Sequence, residues 1–148
     1  MEKILCLDYG KKRTGIAISD PSQTIAFPLK TLLTCNLIPF LQQYIPEENI
    51  RIIVVGWPIN LDGSQGHATQ LVASFIRFLK HHFSQISIAQ HDERFTSKMA
   101  AESLVLAGLK RKKRREKERL DTISATLILQ SFLAAREHAQ LTDLPFPL

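Results

Sequence analysis

KILCLDYGKKRTGIAIS, residues 3–19, predicts two β-strands joined by a short turn. The apolar run at residues 4–7 is typical of a buried strand, and residues 10–12, Gly-Lys-Lys, are typical of a turn. Small and apolar residues alternate over residues 13–19, as expected of a second strand. Because a parallel crossover needs about a dozen residues or more, so short a connection allows only antiparallel pairing. The chain therefore begins with an antiparallel hairpin.

The sequence beyond the hairpin predicts a third antiparallel strand and then an α/β pattern. Residues 25–33 complete a three-stranded meander, in which Pro28 indicates an edge position or a bulge. Residues 50–55 form a β-branched run typical of a central parallel strand, and residues 86–90 form a second short strand. Apolar residues at helical spacing predict helices near residues 37–44, 65–82, 96–106 and 120–138. We expect an α/β fold whose mixed five-stranded sheet combines the meander with two parallel strands and is flanked by helices.

The composition is that of an ordinary soluble globular domain and excludes a disordered chain. Hydrophobic residues make up 45% and charged residues 22%, and no repeat or boundary divides residues 1–148, so we expect one domain. The net charge of +5 favours a polyanionic partner such as nucleic acid. The sequence shows no secretory signal and no apolar stretch of about 20 residues, so we expect a cytoplasmic protein without a membrane partner.

Three acidic residues end or begin segments that are predicted to be buried. Asp8 ends the first strand, Glu93 follows the strand at residues 86–90, and Asp121 opens the last helix. Burying a carboxylate costs free energy unless a cation neutralises its charge, and the cation is usually a divalent metal ion. Structural interpretations stay open: Asp8 can accept a hydrogen bond in a turn, and Asp121 can be a helix-start carboxylate favoured by the macrodipole. The first hypothesis is a metal-dependent phosphoryl-transfer site.

Cationic and polar residues near these acids are candidates for binding nucleic acid. The basic run at residues 110–119 leads directly into Asp121 and predicts a loop or a solvated helix extension that contacts a phosphate backbone. The loop after the strand at residues 50–55 offers side-chain donors to a phosphate or sugar. A solvated surface is the alternative for the cationic residues. The candidates are Lys11, Asn60, Ser64, Arg94, Lys110, Arg111, Lys112, Lys113, Arg114 and Arg115.

Four motifs, taken in order along the chain, resemble the YqgF (RuvX) family. They are Leu7-Asp8-Tyr9-Gly10 with Arg13-Thr14-Gly15-Ile16-Ala17, Val55-Gly56-Trp57-Pro58 with Asp62-Gly63-Ser64, Asp92-Glu93-Arg94-Phe95-Thr96-Ser97, and Leu120-Asp121. The resemblance covers nearly the whole chain. It implies a ribonuclease H-like fold and a nuclease that matures the 5′ end of small-subunit ribosomal RNA precursors. Resolution of DNA junctions has also been proposed for the family.

The resemblance also implies which residues form the site. Asp8, Glu93 and Asp121 would be both the catalytic residues and the ligands of Mg²⁺ or Mn²⁺, ions that prefer hard oxygen donors. The chain departs from the wider resolvase pattern at residues 56–57, Gly-Trp, because resolvases place an acid near the end of the corresponding strand. Glu93 would fill that role from the next strand, and Asp92 is the alternative.

Three interpretations of function stay open. The first is a metal-dependent nuclease that hydrolyses phosphodiester bonds in precursor ribosomal RNA. The second is a Holliday junction resolvase acting on branched DNA, which predicts a homodimer because a junction presents two symmetry-related cleavage points. The third is a non-catalytic RNA-binding or ribosome-assembly module on a nuclease fold. The sequence is compatible with a monomer or a homodimer, with one or two metal ions, and with different cleavage positions.

Overall fold

The computed structural model describes residues 2–58, 66–92 and 113–142, which form a five-stranded sheet and its flanking helices. The elements, in chain order, are β1 (Lys3–Tyr9), β2 (Arg13–Ser19), β3 (Ala26–Leu33), a 3₁₀ helix (Thr34–Asn36), α1 (Leu37–Glu47), β4 (Ile50–Trp57), α2 (His67–His82), β5 (Ser87–Asp92) and α3 (Lys113–Thr142). The helix predicted near residues 96–106 lies outside the described residues.

The strand order β3-β2-β1-β4-β5 confirms the predicted mixed sheet. Strand β2 pairs antiparallel with β1 and β3, while β1 pairs parallel with β4, and β4 pairs parallel with β5. Both predictions for Pro28 are confirmed, because β3 lies at the edge of the sheet and the β2–β3 register shifts beside Pro28. Proline is tolerated at an edge or a bulge because its missing N–H need not break the regular hydrogen bonding between strands.

Each face of the sheet has its own hydrophobic core. Leu5 and Leu7 of β1 belong to the cluster that includes residues of α1 and α2, whereas Ile4 and Cys6 belong to the cluster formed with α3. Successive strand residues point to opposite faces, which explains the alternation. Asp8 comes two residues after Cys6, so its side chain lies on the α3 face. Cys6 is a buried free thiol in this second cluster.

Helix α3 is longer than the sequence analysis predicted, and this corrects the interpretation of Asp121 as a helix-start residue. The helix begins at Lys113, which places Asp121 in its third turn. Since the macrodipole effect is confined to the first turn, it does not explain the position of Asp121. Lysine, arginine and glutamate are good helix formers, and they extend the helix beyond its apolar face. The basic residues from Lys113 onward are therefore a helix extension and not a loop.

Helix α3 spans 30 residues but carries charged side chains along much of its length. Within the described part of the chain, no helix has an apolar stretch long enough to cross a bilayer.

Candidate active site

Gly15 brings the backbone of α3 against the strand that lies beside Asp8. Asp8 and Gly15 are partners across the β1–β2 ladder. A Cβ atom placed on Gly15 would lie 2.0 Å from the carbonyl oxygen of Asp121 and 3.1 Å from the Cβ of Asp121. No larger residue fits there, so the helix backbone can approach the strand this closely only at a glycine. Asp8 and Asp121 therefore both lie beside Gly15, and strand alternation places the Asp8 side chain on the same face of the sheet as α3.

Small residues on α3 complete this close approach. Ser124 and Ala125 are both buried, and their small side chains let the helix pack closely on the sheet. The contribution of Gly15 was not predicted from the sequence. A single glycine inside a strand was the available signal, because it marks a place where another backbone comes close.

Arg13 is a second residue of the site that sequence reasoning missed. Its Nε donates a hydrogen bond to Oδ2 of Asp121 at 3.1 Å, and the two side chains are 24% and 27% exposed. Arg13 lies two residues before Gly15 on β2, so the strand alternation places both on the α3 face. A guanidinium therefore borders the acidic site and neutralises one of its carboxylates.

Threonines hold the turn between β1 and β2. Thr34 Oγ1 donates to the carbonyl oxygen of Gly10 at 2.7 Å, and the hydroxyl groups of Thr14 and Thr34 lie 2.9 Å apart. Because a hydroxyl carries one proton, Thr14 is the donor in this second bond. The Thr34 N–H donates to the carbonyl oxygen of Lys12 at 2.9 Å. A Cβ on Gly10 would lie 2.5 Å from the carbonyl oxygen of Arg13, so this turn also requires glycine.

The end of β5 presents His91 and Asp92 to different faces. His91 Nε2 lies 2.8 Å from Ser131 Oγ, and the imidazole packs edge-on against Phe132, so His91 faces α3. Burial lowers the pKa of His91, and the nearby Asp92 carboxylate partly opposes this shift. By strand alternation Asp92 lies on the opposite face from Asp8. This weakens the case for Asp92 as the alternative to Glu93.

The described residues include only part of the predicted site. Asp8 and Asp121 both lie beside Gly15, and Lys11 is exposed on the β1–β2 turn. Glu93, Asn60, Ser64, Arg94, Lys110, Arg111 and Lys112 lie outside the described residues, and Lys113, Arg114 and Arg115 are described only as helical backbone. Within residues 2–58, 66–92 and 113–142, no group of three or more histidine, cysteine, aspartate or glutamate residues is placed to hold a metal ion.

The donor chemistry of the two described acids fits Mg²⁺ or Mn²⁺. Asp8 and Asp121 offer carboxylate oxygens, the ligands that these hard cations prefer. The backbone of Asp121 occupies the space beside Gly15 that a side chain would fill, which holds the Asp121 carboxylate on the α3 face next to β2. Glu93, the third ligand expected from the family resemblance, lies outside the described residues.

The strand order, with an acid at the end of the central strand β1 and a long helix across one face, is that of a ribonuclease H-like protein. A family model described as "RuvX: Holliday junction resolvase" matches residues 2–135. The chain belongs to this RuvX (YqgF) family, as its four motifs suggested.

Curated relatives align with this chain over almost their whole length. Proteins named "Putative pre-16S rRNA nuclease" include one from Amoebophilus asiaticus, 46% identical over 91% of this chain and 96% of its own. Another, from Flavobacterium psychrophilum, is 40% identical over 92% of this chain and 99% of its own. A third, from Christiangramia forsetii, is 43% identical over 90% of this chain and 98% of its own. A solved structure, YeaZ from Pseudomonas aeruginosa, matches 73% of this chain and 50% of its own with 14% identity and a TM-score of 0.41, a likeness too distant to bear on function.

Proposed function

We propose that this protein is a nuclease that hydrolyses phosphodiester bonds in the precursor of small-subunit ribosomal RNA, at its 5′ end. The observation that supports the proposal is that Asp8 and Asp121 both lie beside Gly15 on the α3 face of the sheet. The names of the relatives support the RNA substrate. A nuclease of this kind would work in the cytoplasm, where ribosomes are assembled.

Mg²⁺ or Mn²⁺ is the cofactor that the proposal requires, with Asp8, Asp121 and Glu93 as its ligands. When bound, such an ion would activate the attacking water and offset the charge that develops on the phosphate. Arg13 fixes the orientation of the Asp121 carboxylate through the 3.1 Å hydrogen bond. Arg13 would therefore position Asp121 and would not itself bind the metal ion.

The cationic residues would bind the substrate backbone. Lys11 is exposed on the turn that follows Asp8, at the same end of the sheet as the acids. The basic residues at the start of α3 precede Asp121 by about two turns of helix, so they would direct the strand towards the site. The other proposed contacts are Asn60, Ser64, Arg94, Lys110, Arg111, Lys112, Lys113, Arg114 and Arg115. Since phosphate contacts release counterions, the affinity for RNA should fall steeply as salt is added.

A comparison of substrates tests the proposed function. The purified protein, with Mn²⁺, is offered precursor ribosomal RNA, an unrelated single-stranded RNA and a four-way DNA junction under the same conditions. We expect cleavage of the precursor near the 5′ end of the mature sequence, and none when EDTA replaces Mn²⁺. Absence of cleavage in all three substrates would contradict the proposal of a nuclease. Cleavage of the junction alone would show that the substrate is branched DNA and not RNA.

The Arg13→Gln variant should bind Mn²⁺ more tightly than the wild-type protein but be less stable without metal. Arg13 places a positive charge against Asp121, so it competes with any metal ion for that carboxylate. We expect about tenfold tighter binding of Mn²⁺ at low salt by calorimetry. In EDTA, loss of the partly exposed ion pair should lower the free energy of unfolding by about 1 kcal/mol. Lys12→Gln, which removes an exposed charge from the same turn, is the control; equal Mn²⁺ affinity in both variants would exclude competition by Arg13.

The description of the matching family model favours a second candidate function, resolution of DNA junctions. A resolvase must make two symmetry-related cuts, so this candidate requires a homodimer. Light scattering of the protein alone and with the junction distinguishes the candidates. A monomer in both samples supports the RNA nuclease, and a dimer on the junction with paired cleavage supports the resolvase.

A further inference from the structure

A cavity of about 380 Å³ opens at the carboxyl end of β4 and has one aromatic wall. It is lined by Trp57 at the end of the strand and by Gly66, His67, Thr69, Gln70 and Ala73 at the start of α2. Pockets for small molecules measure roughly 300–1,000 Å³, so this one suits a single ring system and is too small for a nucleic-acid duplex.

The cavity lies next to the acidic site but on the other face of the sheet. Leu7 pairs with Val55 across the parallel β1–β4 ladder, which places the next residues, Asp8 and Gly56, beside one another. Trp57 follows directly and packs against the core under α1 and α2, whereas the Asp8 side chain lies on the α3 face. A strand that crosses this end of the sheet can therefore place a phosphate at Asp8 and a neighbouring base at Trp57.

The lining offers both a stacking surface and groups that form hydrogen bonds. The indole of Trp57 is flat and partly exposed, and the amide of Gln70 and the imidazole of His67 belong to exposed residues at the rim. The Thr69 hydroxyl cannot donate a hydrogen bond to a ligand, because it already donates to the carbonyl oxygen of Pro58 at 2.6 Å. That bond fixes the start of α2 against the end of β4 and so holds the two walls of the cavity together.

We propose that this cavity is a subsite for one unpaired nucleobase of the substrate strand, stacked on Trp57. The inference rests on the proposed function, since it takes the ligand to be the strand that the nuclease cleaves. Bases in single-stranded segments and loops can be unstacked and bound against aromatic side chains, whereas bases inside a duplex cannot. The subsite therefore selects single-stranded substrate next to the cleavage point.

Tryptophan fluorescence tests this subsite directly, because Trp57 is the only tryptophan in the chain. In EDTA, which prevents metal-dependent cleavage, the full-length protein is titrated with a short single-stranded RNA, with the same RNA as a blunt duplex, and with an abasic ribose-phosphate strand of equal length. We expect quenching by the single strand and little or none by the duplex or the abasic strand. Equal quenching by the abasic strand would overturn the proposal.

A cavity-filling variant provides the matched comparison. Ala73→Leu fills the cavity and keeps Trp57 as the reporter, while Ser74→Leu adds the same side chain at the next, exposed position of α2. We expect about tenfold weaker binding of the single strand by Ala73→Leu and no change in Ser74→Leu. If Ala73→Leu does not fold, Trp57→Leu replaces it, with the anisotropy of labelled RNA as the measurement. Unchanged affinity in the folded variant would overturn the subsite.

Cleavage of the same RNA with Mn²⁺, by the wild-type protein and by Asp8→Asn, separates the subsite from the proposed function. Base-dependent quenching without Asp8-dependent cleavage supports the base site and rejects the nuclease. Cleavage that depends on Asp8, with no base-dependent quenching, supports the nuclease and rejects the subsite.

Discussion

The Asp8→Asn variant is expected to lose phosphodiester cleavage and to keep most of its affinity for RNA. Asp8 is the residue before the end of the central strand β1 and lies beside Gly15, where the α3 helix brings Asp121 against the sheet. Asparagine has nearly the same shape, so the fold is preserved, but its neutral amide attracts a divalent cation far less than a carboxylate does. Affinity for RNA comes mainly from phosphate contacts with cationic residues, which this change leaves in place.

Activity and binding are measured on the same preparation. Cleavage with Mn²⁺ should fall below detection, calorimetry should show that Mn²⁺ binding is lost, and RNA affinity in EDTA should remain within about twofold of the wild-type value. Asp92→Asn is the matched control, because it makes the same chemical change on the opposite face of the sheet and should retain activity. Full activity of Asp8→Asn would contradict the proposed metal site. Loss of activity in Asp92→Asn would indicate that Asp92 is a metal ligand after all.

The Gly15→Ala variant is expected to be the most destabilising single-methyl change in the described part of the molecule. The added Cβ would lie 2.0 Å from the carbonyl oxygen and 2.4 Å from the carbonyl carbon of Asp121, so α3 would have to move away from the strand. Overpacking of this kind costs about 3 kcal/mol when backbone must shift. The same movement would carry Asp121 away from Asp8, so cleavage should fall even at temperatures where the variant stays folded.

Chemical denaturation and cleavage assays check this prediction. Ala17→Gly is the control, since it removes a methyl group on the same strand and face and should cost only about 1 kcal/mol. The comparison of stability with cleavage shows whether the close packing of α3 on β2 is needed for activity. A stable Gly15→Ala protein with normal cleavage would show that close contact between α3 and β2 is not needed to assemble the site.

Local sequence patterns were sufficient to predict the sheet and insufficient to predict the surroundings of its acids. The meander follows from turn lengths and strand alternation, both of which act over a few residues. The Arg13–Asp121 hydrogen bond joins residues 108 apart in sequence, and no local pattern specifies which side chain a distant helix will meet. The start of α3 was placed too late because its first residues are charged. They form helix through intrinsic propensity and lack the apolar periodicity on which the prediction depended.

Helix α3 packs on the first strands of the chain although it is the last described element to be synthesised. Thr31 Oγ1 lies 2.7 Å from the carbonyl oxygen of Glu118, and the Ala26 N–H donates to Gln130 Oε1 at 3.2 Å, so the helix closes over β3 as well as over β2. A nascent chain that has emerged only as far as β5 has Asp8 but no Asp121 beside it. Under the proposed function, the acidic site would therefore assemble only late in translation, and an unfinished polypeptide that is still attached to a ribosome would not be able to cut the ribosomal RNA around it.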